Sequence, residues 1–357
     1  MPVMSENESS AFATVPMKTV GPIRITGPVI DDEAIMVPLA TYESPLWPSV
    51  ARGAKVSVSC GGIRTVIVDE RMTRSVAVQA ENAEQALLHR NAILAHKAEL
   101  AVVAASTSRF AQLLDINTQI VGNLLYIRFE LSTGDASGHN MATKAAEAML
   151  DWVLQNRQGL GYVSISGNFC TDKKASAVNG ILGRGKNAVA DIVIPRETCD
   201  KILRTTPERL VDLHIKKNLI GTMVAGGLRS ANAHYANMLL AFYLATGQDA
   251  ANIVEGSQGF VHSEVRNDAL YFSVTVPNLI VGTVGNGKDL SFVQANMELL
   301  GCTRTREPGA NARRLAAIAA ATVLCGELSL LAAQTNPGEL MRAHIKLVRK
   351  AGARKKA

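Results

Sequence analysis

The sequence predicts an α+β fold, and three observations predict it. Apolar residues recur at helical spacing in some stretches and alternate or run β-branched in others. These stretches do not alternate as in a βαβ series. Small aliphatic residues carry the core, because aromatics make up only 4% of a chain that is 47% hydrophobic, which suits close-packed Ala-rich helices.

The elements follow in order. Residues 1–15 are polar and Ser-rich and predict a loose start. Gly21-Pro22, Gly27-Pro28 and Asp31-Asp32 then punctuate short apolar runs, as turns between extended segments do. Lys55 to Cys60 and Thr65 to Asp69 read as strands. Glu81 to Ala105 carries Ala, Leu and Ile at helical spacing with Glu and Lys between, the pattern of one amphipathic helix. Asn123 to Leu131 alternates as a strand, and a Gly/Asp/Ser turn leads into a helix from Asn140 to Gln155. Tyr162–Phe169 and Ala188–Ile194 read as strands, Ser230–Val254 as a long helix interrupted near Gly247, and Asp268–Val284 as strand-rich. Asn311–Gln334 reads as a long Ala/Leu helix and Pro337–Lys350 as a last basic one.

Composition narrows the function classes. Charged residues are 19% of the 357, too few for a disordered chain. The net charge of +6 suits nucleic acid, lipid or an anionic small ligand. Part of the excess sits in the basic run from Arg349 to Lys356, and no RNP, zinc-finger or helix-turn-helix pattern accompanies it. Cys60, Cys170, Cys199, Cys302 and Cys325 are odd in number and form no CxxC, which predicts a reducing, cytoplasmic setting and no structural metal. The most apolar stretch, Leu315 to Ala333, is broken by Cys325-Gly326-Glu327, so no membrane partner is expected.

Two glycine motifs mislead. Gly180 to Asn187 nearly matches GxxxxGK[ST], but Asn187 lacks the hydroxyl that holds Mg²⁺, and the motif precedes a β-branched run rather than a helix. Gly282-Thr283-Val284-Gly285-Asn286-Gly287 is not GxGxxG between strand and helix. No histidine pair has metal-site spacing.

Four polar stations stand in apolar or small-residue surroundings: Leu39 to Pro45 around Glu43, Ser166 to Lys174, Asn232 to Asn237 continuing to Gly247-Gln248-Asp249, and Arg342-Ala343-His344. Singly, each has a structural explanation, such as a helix-start carboxylate or a cap. Together they carry a resemblance. From Val15 to Arg349 the chain resembles the hydroxymethylglutaryl-coenzyme A (HMG-CoA) reductase family. The densest matches are Cys170–Lys174, Gly183–Lys186, Lys217–Gly221, Asn232–Asn237, Gly247–Asp249, Gly282–Gly285 and Gly326–Leu330.

The resemblance implies a large, mainly helical CoA and substrate domain interrupted by a small ferredoxin-like, non-Rossmann dinucleotide-binding domain. The divisions are 1–74 and 165–345 for the large part, 75–164 for the small one, and 346–357 for a basic tail. It implies reduction of HMG-CoA to mevalonate and CoA by two hydride deliveries, with NADPH as cofactor and NADH as the alternative. It also implies a homo-oligomer, at least a dimer, with shared active sites. Reducing a thioester builds negative charge on a carbonyl oxygen twice, and a fixed cation lowers both barriers. By resemblance that cation is Lys173, with Glu43 as the proton donor and Asp249 linking the two. His344 protonates the departing CoA thiolate.

Arg74, Ser166, Lys174, Lys217 and Asn237 match positions that hold the HMG moiety. Asp135, Ser137, Gly138, Asn140 and Met141 match the dinucleotide turn at a helix start, and Arg109 is the expected partner of a 2′-phosphate. The chain departs from the family in three places. Ser44-Pro45 follows Glu43 in place of Gly-Cys, Ser137 and His139 replace methionines, and Lys350 stands where some members carry a regulatory serine. Two other readings fit the same residues: oxidation of mevalonate with NAD, and an inactive CoA-thioester binder.

Overall fold

The computed structural model describes residues 13–339, 341 and 345. The first segment enters as a hairpin, β1 (Met17–Thr26) against β2 (Glu33–Ala40). Helix α1 (Leu46–Ser59) follows and turns Leu46, Trp47, Val50, Gly53, Ala54 and Ser57 inward. That is helical spacing carried through to the end of the segment, so the strand expected at Lys55–Cys60 is instead the last turn of α1. The alternation of Val56 and Val58 with serines is local, and the Trp47-Val50-Ala54 face decides the outcome.

The sheet has ten strands. Its main path runs β2-β1-β3-β7-β10-β9-β8, with β3 at Ile63–Gln79, β7 at Gly185–Pro195, β8 at Ser230–Ala231, β9 at Gly259–Arg266 and β10 at Ala269–Leu279. Most pairings are antiparallel, but β1–β3 and β8–β9 are parallel, so the sheet is mixed. The terminal long helix Ala310–Gln334 packs on this sheet with α1 and with the helix Tyr235–Ala245. By length and composition it matches a membrane span, yet 94% of its most apolar window is buried by the protein itself, as in a core helix. The larger core is thus backed by an extended sheet, where the sequence led us to expect a mainly helical body.

Strand β3 is 17 residues long and serves two cores. Its first half lies in the main sheet beside β7. Its second half pairs with β5 (Leu124–Leu131) on one side and β6 (Gly161–Ser164) on the other, and β5 pairs with β4 (Leu113–Val121). Helices α2 (Ala83–Ala95), α3 (Lys97–Thr107) and α4 (His139–Asn156) complete this second unit, with its own apolar core around Val76, Ile93, Leu100, Ile127, Phe129 and Met149. Its strand order is β6-β3-β5-β4.

Three further expectations are corrected. The single helix at Glu81–Ala105 is two helices broken at His96, whose ring Nδ1 donates to the Ala92 carbonyl (2.7 Å) and whose ring lies tilted against Trp152. The strand expected over Tyr162–Phe169 ends at Ser164. Ser230–Val254 is a two-residue strand, the helix Tyr235–Ala245 and two short turns, because Ala233 and His234 donate their amides to the carboxylate of Glu327 instead of to a helix ladder. The expected basic helix Pro337–Lys350, with Arg342 and His344, lies outside the described residues apart from residues 337–339, Met341 and Ile345.

Candidate active site

Lys173 sits in a turn between β6 and β7, just before α5 (Val178–Leu182), that the backbone adopts only under constraint. Asn168, Thr171 and Lys173 all have positive φ, at 58°, 41° and 55°. Such strain persists where surrounding contacts over-determine the backbone, and here they do. The buried carboxylate of Glu255 accepts the Lys173 amide (3.2 Å) and the Asn179 side chain (2.9 Å). Arg184, also buried, donates to Glu255 (3.0 Å), to Asp172 (2.6 Å) and to the Thr73 carbonyl (2.6 Å). Burial pushes the Glu255 carboxyl up, and the Arg184 charge opposes it.

The Lys173 ammonium meets the Asp249 carboxylate at 2.5 Å. Asp249 also accepts the Ala251 amide (3.1 Å) as the cap of a short turn. Burial works to raise the Asp249 carboxyl, but the hydrogen bond and charge of Lys173 outweigh it and hold it below the usual carboxylate range. The Gly-Gln-Asp loop is fixed by Gln248, whose side-chain amide makes two bonds to the main chain of Gly282 (2.9 and 3.1 Å).

Lys173 and Asp249 lie across from the turn that precedes α4. Ser137, Gly138, Asn140 and Met141, with Arg74, line one open cleft of about 1150 Å³ with them. Helix α4 starts from Gly138 in a left-handed conformation, and among the described residues its first turn, which lines the cleft, has no side-chain cap. The approach of backbone to backbone here needs glycine, since a Cβ on Gly282 would stand 2.3 Å from the Ser137 nitrogen. Arg74 bonds Thr143 on α4 (2.6 and 2.9 Å) and Ser166 (3.4 Å), and Lys174 donates to the Asp172 carbonyl (3.1 Å).

Other expected residues lie elsewhere. Asp135 turns away from the cleft: its carboxylate accepts the amides of Gly309 (3.0 Å) and Ala312 (2.9 Å) and caps the terminal helix. Arg109 lines a neighbouring cleft that includes Gly134 of the same turn, its guanidinium 4.6 Å from the Phe110 ring centre. Glu43 is exposed and lines a third cleft, with Asn237, His234, Arg52 and Ser329, that shares no lining residue with the Lys173 cleft. Pro45 precedes α1 at φ −64°, a value that helix entry needs, and Leu46 donates to the Glu43 carbonyl (3.0 Å), so the Ser44-Pro45 departure seats Glu43 at the helix start. Lys217 bonds Asn218 (3.3 Å), and burial lowers its pKa against the pull of Glu327.

Sequence reasoning missed several members. Arg184 and Glu255 are separated by 71 residues and meet only in the fold. His139 reaches Asn252 (3.3 Å) and Asp172 (3.6 Å), and burial, then the Arg184 charge, keeps it below its ordinary pKa. Lys288 lines the Lys173 cleft and donates to the Gly247 carbonyl. A lysine directly after the Gly282–Gly287 run was the available signal. Among the described residues no group of histidine, cysteine or carboxylate side chains is placed to hold a metal.

Comparison with known proteins identifies the family. A family model described as hydroxymethylglutaryl-coenzyme A reductase matches residues 2–349. The chain is 42% identical over 335 residues to the 3-hydroxy-3-methylglutaryl-coenzyme A reductase of Pyrococcus abyssi, covering 92% of this chain and 81% of that one. It is 42% identical over 334 residues to that of Aeropyrum pernix, covering 92% and 78%. The fold matches the Streptococcus pneumoniae reductase with a TM-score of 0.71 at 20% identity, over 93% of this chain and 88% of that one. A second structure of the class II S. pneumoniae enzyme, bound to NADPH in open conformations, matches with a TM-score of 0.68 at 21% identity over 93% and 88%. With its family model spanning nearly the whole chain and relatives this similar, the chain belongs to the hydroxymethylglutaryl-coenzyme A reductase family.

Proposed function

We propose that the protein reduces (S)-3-hydroxy-3-methylglutaryl-CoA to (R)-mevalonate and CoA in the cytoplasm, in the mevalonate pathway, with NADPH in the Lys173 cleft. The observation that carries the reading is the Lys173–Asp249 pair at 2.5 Å, facing the first amides of α4 across one cleft. Those amides, with Ser137, Gly138, Asn140 and Met141, fit a dinucleotide pyrophosphate, and Arg109, which lines the neighbouring cleft with Gly134, supports binding of a 2′-phosphate. NADH fits the same turn without using Arg109. When bound, the reduced nicotinamide supplies the hydride for each of the two reductions.

The rest is the work of this chain. Lys173 holds the negative charge that develops on the substrate carbonyl oxygen, and Asp249 holds Lys173 in place. Arg74, Ser166, Lys174, Lys217 and Asn237 bind the carboxylate and hydroxyl of the HMG group. Collapse of the thiohemiacetal releases CoA as thiolate, which His344 protonates. Glu43 supplies the proton to the aldehyde oxygen in the second reduction.

The small unit, residues 75–164, is read as a ferredoxin-like nucleotide domain, supported by its β-α-β-β-α-β order, with α2 and α3 together forming the first crossover. Residues 1–74 and 165–345 form the substrate domain, and 346–357 the basic tail. Glu43 and Lys173 line separate clefts of one chain, which supports a dimer in which each site takes Glu43 from one copy and Lys173 from the other. The test is complementation. Glu43→Gln and Lys173→Ala are each inactive in the absorbance assay of NADPH oxidation with HMG-CoA. Unfolded and refolded together, they regain about a quarter of wild-type activity, because half the dimers are mixed and each carries one intact site. Two inactive parents whose mixture stays inactive would refute the shared site, and wild type inactive with both NADPH and NADH would refute the reaction.

A further inference from the structure

Lys288 is an unusual cation. It follows the glycine-rich turn after β10, and its ammonium donates to the carbonyl of Gly247, two residues before Asp249. The two loops touch backbone to backbone: a Cβ on Gly247 would stand 2.4 Å from the Gly287 carbonyl oxygen, and one on Gly287 would stand 2.9 Å from that of Gly247. Lys288 is therefore held at the Lys173–Asp249 end of the cleft. Most of the other charges there are matched. Asp249 pairs with Lys173, and Asp172 pairs with Arg184 and approaches His139. Arg74, a further cation on the lining, is held by the hydroxyls of Thr143 and Ser166. No carboxylate partners Lys288 among the described residues, and burial alone lowers its pKa, to about 8. A half-buried charge without a counterion costs stability, so its retention calls for a role.

We propose that Lys288 sets the cofactor's redox preference: its ammonium disfavours the positively charged oxidised nicotinamide relative to the neutral reduced ring, so the site holds the reduced dinucleotide and releases the oxidised one. This rests on the reading of the cleft as the nicotinamide site. The two redox forms share their phosphates and differ by one positive charge on the ring. A cation near the phosphates tightens both forms equally, whereas a cation near the ring separates them. Lys288 is bonded to the loop that presents Asp249, which places it at the reacting end. The consequence is a bias toward reduction, since the product complex with the oxidised cofactor falls apart more readily than the substrate complex.

Calorimetric titration of NADPH and NADP⁺ into the dimeric wild type, Lys288→Met and Lys288→Arg tests this without turnover. For unit charges about 8–10 Å apart in an effective dielectric of about 35, the ratio Kd(NADP⁺)/Kd(NADPH) falls roughly three- to tenfold in Lys288→Met at about pH 7. Lys288→Arg keeps the wild-type ratio, which separates charge from packing. In wild type the ratio also falls between about pH 7 and about pH 9 as Lys288 loses its proton, and in Lys288→Met it stays flat over that range. Equal weakening of both forms in Lys288→Met, or an unchanged ratio, overturns the proposal while leaving the cofactor site intact. Failure of wild type to bind either dinucleotide removes the cofactor reading itself, and this proposal with it.

Discussion

Replacing Arg184 with Met removes the residue that ties the Lys173 turn to the sheet. Arg184 donates to the carboxylates of Glu255 (3.0 Å) and Asp172 (2.6 Å) and to the backbone and hydroxyl of Thr73 (2.6 and 3.1 Å). Both Arg184 and Glu255 are essentially inaccessible to water. Two charge-assisted bonds of about 1.5–3 kcal/mol each sum to about 3–6 kcal/mol. That agrees with the about 3–5 kcal/mol expected when one partner of a buried pair is lost. Most of the cost lies in the stranded Glu255 carboxylate, so Glu255→Gln added to Arg184→Met recovers part of the stability.

It does not recover catalysis to the same degree. Asp172 stays unanchored in the double variant, and the left-handed backbone at Lys173 loses the contact that fixes its neighbour. Urea denaturation followed by circular dichroism gives the stabilities, and kcat and KM are measured on the folded fraction. A single variant destabilised by less than about 1 kcal/mol, or a double variant destabilised by the sum of the two singles, would refute the coupling of these charges.

Asp135→Ala removes the carboxylate that caps the terminal helix. It costs about 1–2 kcal/mol in thermal or urea unfolding and raises the KM for NADPH, because the turn that begins α4 loses its anchor; an unchanged KM would leave the cap purely structural. For Asp249→Asn the sign follows from the lowered carboxyl pKa. The ion pair with Lys173 contributes above the ordinary carboxylate range and fades as pH falls through the depressed value. The stability gap between wild type and variant is therefore present at about pH 6 and shrinks toward zero below about pH 4, and a gap that widens in acid would contradict it.

Much of the candidate site was legible because its residues sit in short contiguous stations. Ser166–Lys174 and Gly247–Asp249 each bring several functional groups within a few positions. Ser137 to Met141 announces a turn before a helix by its glycine and asparagine. What escaped depends on long-range contacts. The non-helical backbone at Ala233 and His234 is set by Glu327, more than 90 residues away in the sequence. The break at His96 carries no glycine or proline to signal it, and the residues that hold it, Trp152 and Arg157, lie beyond β5. Asp135 reads as a ligand contact because its turn precedes a helix start, yet its side chain answers to a helix more than 170 positions later. The sheet was underestimated for a related reason. β3 is one strand shared by two cores, and its buried and half-buried positions do not keep a single period.

The cap on the terminal helix joins regions that are otherwise separate. At its first turn this helix is fastened to Asp135, next to the turn that precedes α4. Near its last turn, Ser329, Ala333 and Gln334 form part of the wall of the Glu43 cleft. At about 1.5 Å per residue its 25 residues make a rod of about 37 Å, buried for most of its length and unable to bend without opening the core. A shift at the Asp135 end therefore reaches the wall of the Glu43 cleft as displacement of a stiff tie-rod that runs through the middle of the protein.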